Sequence, residues 1–230
     1  MIEALGDAAL LVRLDDRAGL EVNRRVHALT RRLRAAAPPW LQDCVPAYAS
    51  LAIYFDPSMM TGGDCQAVVT RWLQPIIAAP ELPFDPRASR LEEIPVCYGG
   101  EHGPDLDDVA HACGLDKAEV VALHTQPEYT VAMLGFSPGF GYLLGLDPQL
   151  EVARTATPRV RVPAGSVGIG GSQTGVYPDE GPGGWRLIGR TPHALFDVRR
   201  KWPSTLVPGD RVRFVAIDAA RFDALRGHDR

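Results

Sequence analysis

The chain has 230 residues, 46% of them hydrophobic and 23% charged, the make-up of a globular protein with room for one large or two modest domains. A formal net charge of −4 excludes the global basic field of a nucleic-acid binder. No apolar run approaches the ~18 residues of a membrane span, and residues 1–7 lack a basic segment followed by an apolar one, so the expectation is a cytoplasmic protein with no membrane partner.

Taken in order, residues 9–14 (ALLVRL) read as a strand. Asp15 and Asp16 offer an N-cap for a helix reaching about Ala36, in which Val22, Val26, Leu29 and Leu33 recur at spacings of four, three and four on one face. The arginines at 24, 25, 31, 32 and 34 then form its solvated side, and Pro38-Pro39 stops it. Residues 40–45 and 48–55 read as two strands split by Pro46. Gly62, Gly63 and Asp64 open a second helix with Val68, Val69, Trp72, Leu73 and Ile76 inward, kinked or ended by Pro75. This β-α-β-β-α order lacks one strand of the split β-α-β, or ferredoxin-like, arrangement. Residues 94–98 either supply that strand or begin the next domain. Three prolines between residues 79 and 86 mark a stiff linker, so a small α/β N-terminal domain is expected over 1–85 and a second domain over 86–230.

In the second domain Asp105 caps a short helix to Cys113, ended by Gly114 at the C′ position. Asp116 caps another to about His124, with Glu119 at the capping-box position. Residues 128–134 are a strong strand. Short strands follow at 159–162, 166–169, 175–177, 185–189, 194–197 and 211–217, a spacing that suits a β-barrel or a sandwich. Pro208, Gly209 and Asp210 turn into the last of these, and a terminal helix starts after Asp218. Cys44, Cys65, Cys97 and Cys113 include no CxxC pair, so neither a zinc site nor a disulfide framework is expected, and no metal site is visible.

Thirteen of the 23 glycines fall between Gly135 and Gly189, interleaved with Phe136, Phe140, Tyr142, Tyr177 and Trp185. Glycine lets backbone approach backbone or ligand closely, and aromatics supply buried area with polar tips. The stretch reads as tight loops around a cleft, or else as a β-rich core whose turns need glycine. Gly135, Ser137 and Gly139 fit the G-x-S-x-G of a nucleophile elbow, but the residue after the serine is Pro138, which has no N–H for an oxyanion hole. Gly165 to Ser172 (GSVGIGGS) has the glycine spacing of a phosphate-binding loop, yet Gly171 stands where its lysine belongs. His124 is either an acid–base group or a partner of the last helix carbonyls. His193 faces the cleft or a loop. Arg161, Arg186 and Arg190 either rim a carboxylate site or are surface charge on strands.

Several longer runs together resemble one family, PxpB/KipI, also labelled allophanate hydrolase subunit 1. They are PVCYGG (95–100), LHT (123–125), Glu128-Tyr129 with MLGF (133–136), Gly139-Phe140, Pro158-Arg159, VPAGSVGI (162–169), QTGVYP (173–178), PGGW (182–185), LIGRTP (187–192) and LFD (195–197). The sequence departs from the family pattern at Ser137, often a larger apolar residue, at Gly141, often alanine, and at Ser172, often asparagine. The resemblance implies an α+β protein: a small ferredoxin-like α/β domain followed by a cyclophilin-like β-barrel. It implies one subunit of an ATP-dependent 5-oxoprolinase that hydrolyses 5-oxo-L-proline to L-glutamate, with PxpC-like (KipA-like) and PxpA-like subunits as partners and ATP held by a partner or at a subunit interface. Other branches inhibit a sensor histidine kinase, or act as carboxyltransferase or allophanate hydrolase-type subunits in urea metabolism. Under this reading Arg161, Arg190, Gln173 and Thr174 are candidate donors to the substrate carboxylate. Phe136, Phe140, Tyr177 and Trp185 are the candidate dry wall, Gly139, Pro163 and Ser166 complete the substrate-binding set, and His124 is the candidate acid–base group.

Overall fold

A computed structural model describes residues 1–60, 63–80 and 89–226. The chain divides into two units, Met1–Pro86 and Arg87–Arg230. Gly62 and residues 81–86 of the expected proline linker lie outside the described residues.

In the first unit, strands β1 (Ile2–Ala4), β2 (Ala9–Arg13), β3 (Leu41–Pro46) and β4 (Ser50–Phe55) form an antiparallel sheet in the order β1-β2-β4-β3. Helices α1 (Leu20–Ala36) and α2 (Cys65–Ala78) pack on it through Val26, Leu29, Leu33, Val69 and Leu73. With β4 lying between β2 and β3, the split β-α-β arrangement is present. Its fourth strand is the N-terminal β1 and not residues 94–98. Three residues are too few to show a period in sequence. Helix α1 starts later than the aspartates suggested, because Asp15 accepts from the Arg17 N–H at 3.0 Å and makes a local turn, leaving Gly19 as the N-cap. Helix α2 runs through Pro75 to Ala78. Pro75 is exposed, so the carbonyl it frees meets water. Val68, expected inward, is exposed as well.

The second unit is a closed seven-stranded barrel, not a sandwich. Its strands are β5 (Leu91–Tyr98), β6 (Tyr129–Leu134), β7 (Gly141–Leu144), β9 (Ser166–Gly170), β10 (Gln173–Val176), β12 (Arg186–Arg190) and β13 (Arg211–Ile217). They follow the order β10-β7-β6-β13-β5-β12-β9. Strands β8 (Arg159–Val162) and β11 (Gly181–Gly183) make a separate two-stranded ribbon. Residues 194–197 form no strand; Phe196 makes an isolated bridge to Ser204. The unexpected β7 and β11 are only four and three residues long and each begins with glycine, which hides their alternation.

Alternate residues fill the barrel: Ile94, Val96, Tyr129, Val131, Leu143, Val167, Ile169, Ile188, Val212 and Phe214 belong to one core. Helices α3 (Leu106–Cys113) and α4 (Lys117–Thr125) add Leu106, Val109, Ala110 and Val120 to it. Helix α4 has the expected reciprocal capping box between Asp116 and Glu119. Gly114 ends α3 in the left-handed conformation. Asp105 stands at the N-cap of α3 but makes no side-chain cap bond. Its carboxylate instead accepts from the Leu187 N–H at 2.7 Å and from Arg159 at 2.6 Å, tying helix, barrel and ribbon together. A last helix, α5 (Ala219–Arg226), follows β13.

Candidate functional site

Strands β9 and β10 form a wall with two chemically different faces. On the inner face His124, which is fully buried, lies between Tyr98 and Thr174. Its Nδ1 is 2.8 Å from the Tyr98 hydroxyl and its Nε2 is 2.9 Å from Thr174 Oγ1. Thr174 Oγ1 donates to the Gly168 carbonyl at 2.9 Å. That hydroxyl proton is therefore committed, so Nε2 carries the imidazole proton and donates, and Nδ1 accepts from Tyr98. The ring stacks on Phe214 at 4.5 Å. The His124 carbonyl accepts from the Tyr129 hydroxyl at 2.8 Å. Burial lowers the His124 pKa to about 3 and raises that of Tyr98 well above its ordinary value. The result is a neutral, fully satisfied chain of four groups. His124 bonds Tyr98 and Thr174 and not the last helix carbonyls, and it faces no open cleft. Tyr98 also lines an open groove of about 510 Å³ with Leu106, Lys117 and Val121.

The outer face is almost bare of side chains, and the Trp185 ring lies across it. A Cβ on Gly170 would sit 2.5 Å from the indole, one on Gly175 3.2 Å from it, and one on Gly168 3.1 Å from the Trp185 Cβ. Three of the glycines thus serve as the bed of one tryptophan. Trp185, Phe140, Tyr177, Val162 and Leu187 form a second small core, with Tyr142 against it. Phe140 meets Tyr142, Tyr177 and Trp185 edge-on at 5.0, 5.3 and 5.5 Å. Phe136 joins from outside, 5.4 Å from Phe140 and 6.1 Å from Tyr177, and remains 61% exposed. Gly139 has φ +80 and its Cα faces Phe196.

The polar candidates are spread out. Arg161 is exposed and ion-paired to Glu180 at 2.7 Å, a bond that raises its pKa. Arg190 is half-buried and donates from Nε to the Ala164 carbonyl at 2.8 Å, with burial lowering its pKa. Gln173 is half-buried on β10 and Pro163 is exposed. Ser166 is buried and its hydroxyl donates to the Pro163 carbonyl at 2.7 Å. Phe136, Phe140, Tyr177 and Trp185 thus come together, as do His124 and Thr174, on opposite faces of one wall. Arg161 and Arg190 are engaged with Glu180 and with the Ala164 carbonyl. The run 165–172 is a strand and its hairpin turn, with its outer face filled by Trp185, and not a phosphate loop.

Sequence reasoning gave no site role to Tyr98 or Arg159 and read Asp105 only as a helix cap. Arg159 pairs with buried Asp105 through Nη2 and keeps Nη1 buried without a partner. Arg154 lies 5.9 Å from the Trp185 ring centre. The alternation at 159–162 puts Arg159 and Arg161 on one strand face and so does not distinguish them, yet Arg159 is half-buried against Asp105 and Arg161 is exposed. Among the described residues no three His, Cys, Asp or Glu side chains are placed to hold a metal ion, and no helix is long and apolar enough to cross a membrane. All four cysteines are free.

The family model for the carboxyltransferase domain, subdomain C and D, matches residues 1–206. The chain is 41% identical over 232 residues to the 5-oxoprolinase B subunit of Bacillus subtilis strain 168, covering 98% of this chain and 96% of that one. It is 44% identical over 211 residues to the 5-oxoprolinase B subunit of Escherichia coli O157:H7, covering 92% and 93%. The crystal structure of TTHA0988 superposes with a TM-score of 0.77 at 39% identity. That match covers 95% of this chain and only 41% of TTHA0988.

Proposed function

From the premise that the chain belongs to the carboxyltransferase subdomain C and D family, among the 5-oxoprolinase B subunits, we propose that it works as one subunit of an ATP-dependent 5-oxoprolinase that hydrolyses 5-oxo-L-proline to L-glutamate. The observation that carries this is 40–44% identity to three such subunits over more than nine-tenths of each chain.

Water must be added across a stable lactam C–N bond, and ATP supplies the activation that this needs. The reaction is assigned to the assembled complex, with ATP on a partner or at an interface and PxpC-like and PxpA-like subunits as the partners. Two features support a shared site. The glycine run that spaces like a phosphate loop is a strand covered by Trp185. The imidazole is neutral, enclosed and engaged at both nitrogens, so it suits positioning of β10 better than proton transfer to a substrate. Arg161, exposed and held by Glu180, is the residue of this chain offered to the substrate carboxylate.

The test is glutamate release from 5-oxo-L-proline and ATP by this chain with its two partners, each protein left out in turn. Glutamate only when all are present supports the reading. A folded, associated mixture that stays inactive, or one equally active without this chain, refutes it.

A further inference from the structure

Two loops of the second unit are wedged together. A Cβ on Gly139 would lie 2.7 Å from Phe196 Cβ, and one on Gly141 would lie 3.2 Å from Leu206. The first loop exposes Phe136 at 61%, and the second exposes Val198 at 75% and Trp202 at 77%. Large apolar side chains displayed so openly on loops fixed to one another point to a contact surface.

The backbone at Phe136 strengthens this. Its φ is +67, and only Ala37 shares a positive φ among the described non-glycine residues. The Ser137 N–H donates to the Gly135 carbonyl at 2.8 Å, so Phe136 is the middle of an i to i+2 turn of the strained, left-handed kind. For a bulky aromatic this is a true outlier. The turn does not bury the ring; it holds it outward over Phe140 and Tyr177. Such strain is kept where binding repays it. The second loop adds charge of one sign: Arg199, Arg200 and Lys201 against the single carboxylate of Asp197. Lys201 lies 5.7 Å from the Trp202 ring centre.

We propose that Phe136 and Trp202 anchor a docking face for a partner subunit whose own surface is apolar with acidic side chains at its rim. Aromatic anchors with arginines around them are the usual centre of such interfaces. A second copy of this chain is disfavoured, because it would set one basic loop against another. TTHA0988 bears on the same point: the matching fold takes up 41% of a longer chain. The proposal rests on the reading of this chain as a complex subunit.

The full chain and its PxpC-like partner would be titrated by calorimetry, using the wild type, Phe136→Asn and Trp202→Ser. Asparagine tolerates the left-handed region, so the turn survives the first change, and a thermal melt of each variant confirms folding. The expected result is affinity weakened about 30-fold or more by each variant, the size of a hot-spot loss. Lys201→Glu should weaken binding further as salt is lowered. Wild-type binding that survives both Phe136→Asn and Trp202→Ser overturns the docking face alone. No wild-type binding to the partner overturns the subunit reading and the face with it. A concentration-dependent dimer of the isolated chain that both variants abolish would assign the face to a second copy and overturn the proposal.

Discussion

The imidazole of His124 stands 2.9 Å from Thr174 Oγ1, and the threonine proton is directed the other way, to the Gly168 carbonyl. One hydroxyl thus fixes the tautomer of a buried ring and links helix α4 to the hairpin of β9 and β10. Neither nitrogen is free to bind a proton.

This enclosure makes the protein sensitive to acid. The His124 pKa is about 3 in the folded state, against 6.5 for an ordinary histidine. Above 6.5 neither state binds the proton and the full contribution is present. Between 6.5 and 3 the unfolded chain takes it up and the folded one does not, so stability falls by up to about 1.4 kcal/mol per pH unit from this residue. Ring NMR shifts should show a neutral, Nε2-protonated imidazole still at pH 5. A midpoint near 6.5 would contradict the enclosure.

Thr174→Val keeps the shape and removes the hydroxyl. It leaves the His124 N–H and the Gly168 carbonyl without their partner, at a cost of about 1–3 kcal/mol each. Thr174→Ser should stay within about 1 kcal/mol of wild type. Urea denaturation separates the two, and equal losses would show that the methyl group matters more than the hydroxyl.

Adjacent glycines should respond very differently. Gly170→Ala drives a methyl to 2.5 Å from the indole, so about 3 kcal/mol is lost and the Trp185 emission shifts as the ring moves. Gly171 has φ +65 with open space around its Cα, so Gly171→Ala costs only about 1 kcal/mol of backbone strain and leaves the emission alone. Similar losses at both would mean the indole does not lie on β9.

Asp105→Ala removes the acceptor shared by Arg159 and the Leu187 N–H. Breaking a buried pair from one side costs about 3–5 kcal/mol, so a thermal melt should show a large drop. Asp105→Asn, which retains one acceptor oxygen, should lose less.

Arg161→Ala should leave the melt unchanged, because its pair with Glu180 is exposed and such pairs contribute little. Glutamate production by the assembled complex should nevertheless be abolished. Full turnover by this variant would remove Arg161 from the substrate site.

Elements with a long period or a side-chain signal were legible. The face set by Val22, Val26, Leu29 and Leu33, the Asp116–Glu119 box and the strand at Arg211–Ile217 all sit where their patterns put them. The strands at Ile2–Ala4, Gly141–Leu144 and Gly181–Gly183 are three or four residues long, and two of them begin with a glycine, so no alternation betrays them. At the site, the aromatic set around Phe140 and Trp185 was visible as composition. What the glycines do was not, because a glycine that seats an indole and one that cradles an anion look alike in sequence. Asp105 misled for a similar reason: an aspartate before a helix reads as a cap whether its carboxylate turns to its own helix or to Leu187 and Arg159.

Strand β13 closes the barrel by lying parallel to β5 along seven residue pairs, from Arg211 with Leu91 to Ile217 with Cys97. Partners some 120 positions apart must find each other, as Arg213 and Glu93 do. During synthesis β5 therefore emerges long before its neighbour exists, and one edge of the nascent sheet stays open until the ribosome has passed Ile217. The sheet of the first unit, paired only within itself, has no such wait. Assembly on the ribosome is thus ordered, with an early sheet and a late barrel, and the interval between them is when this chain is most exposed to mispairing and to chaperones.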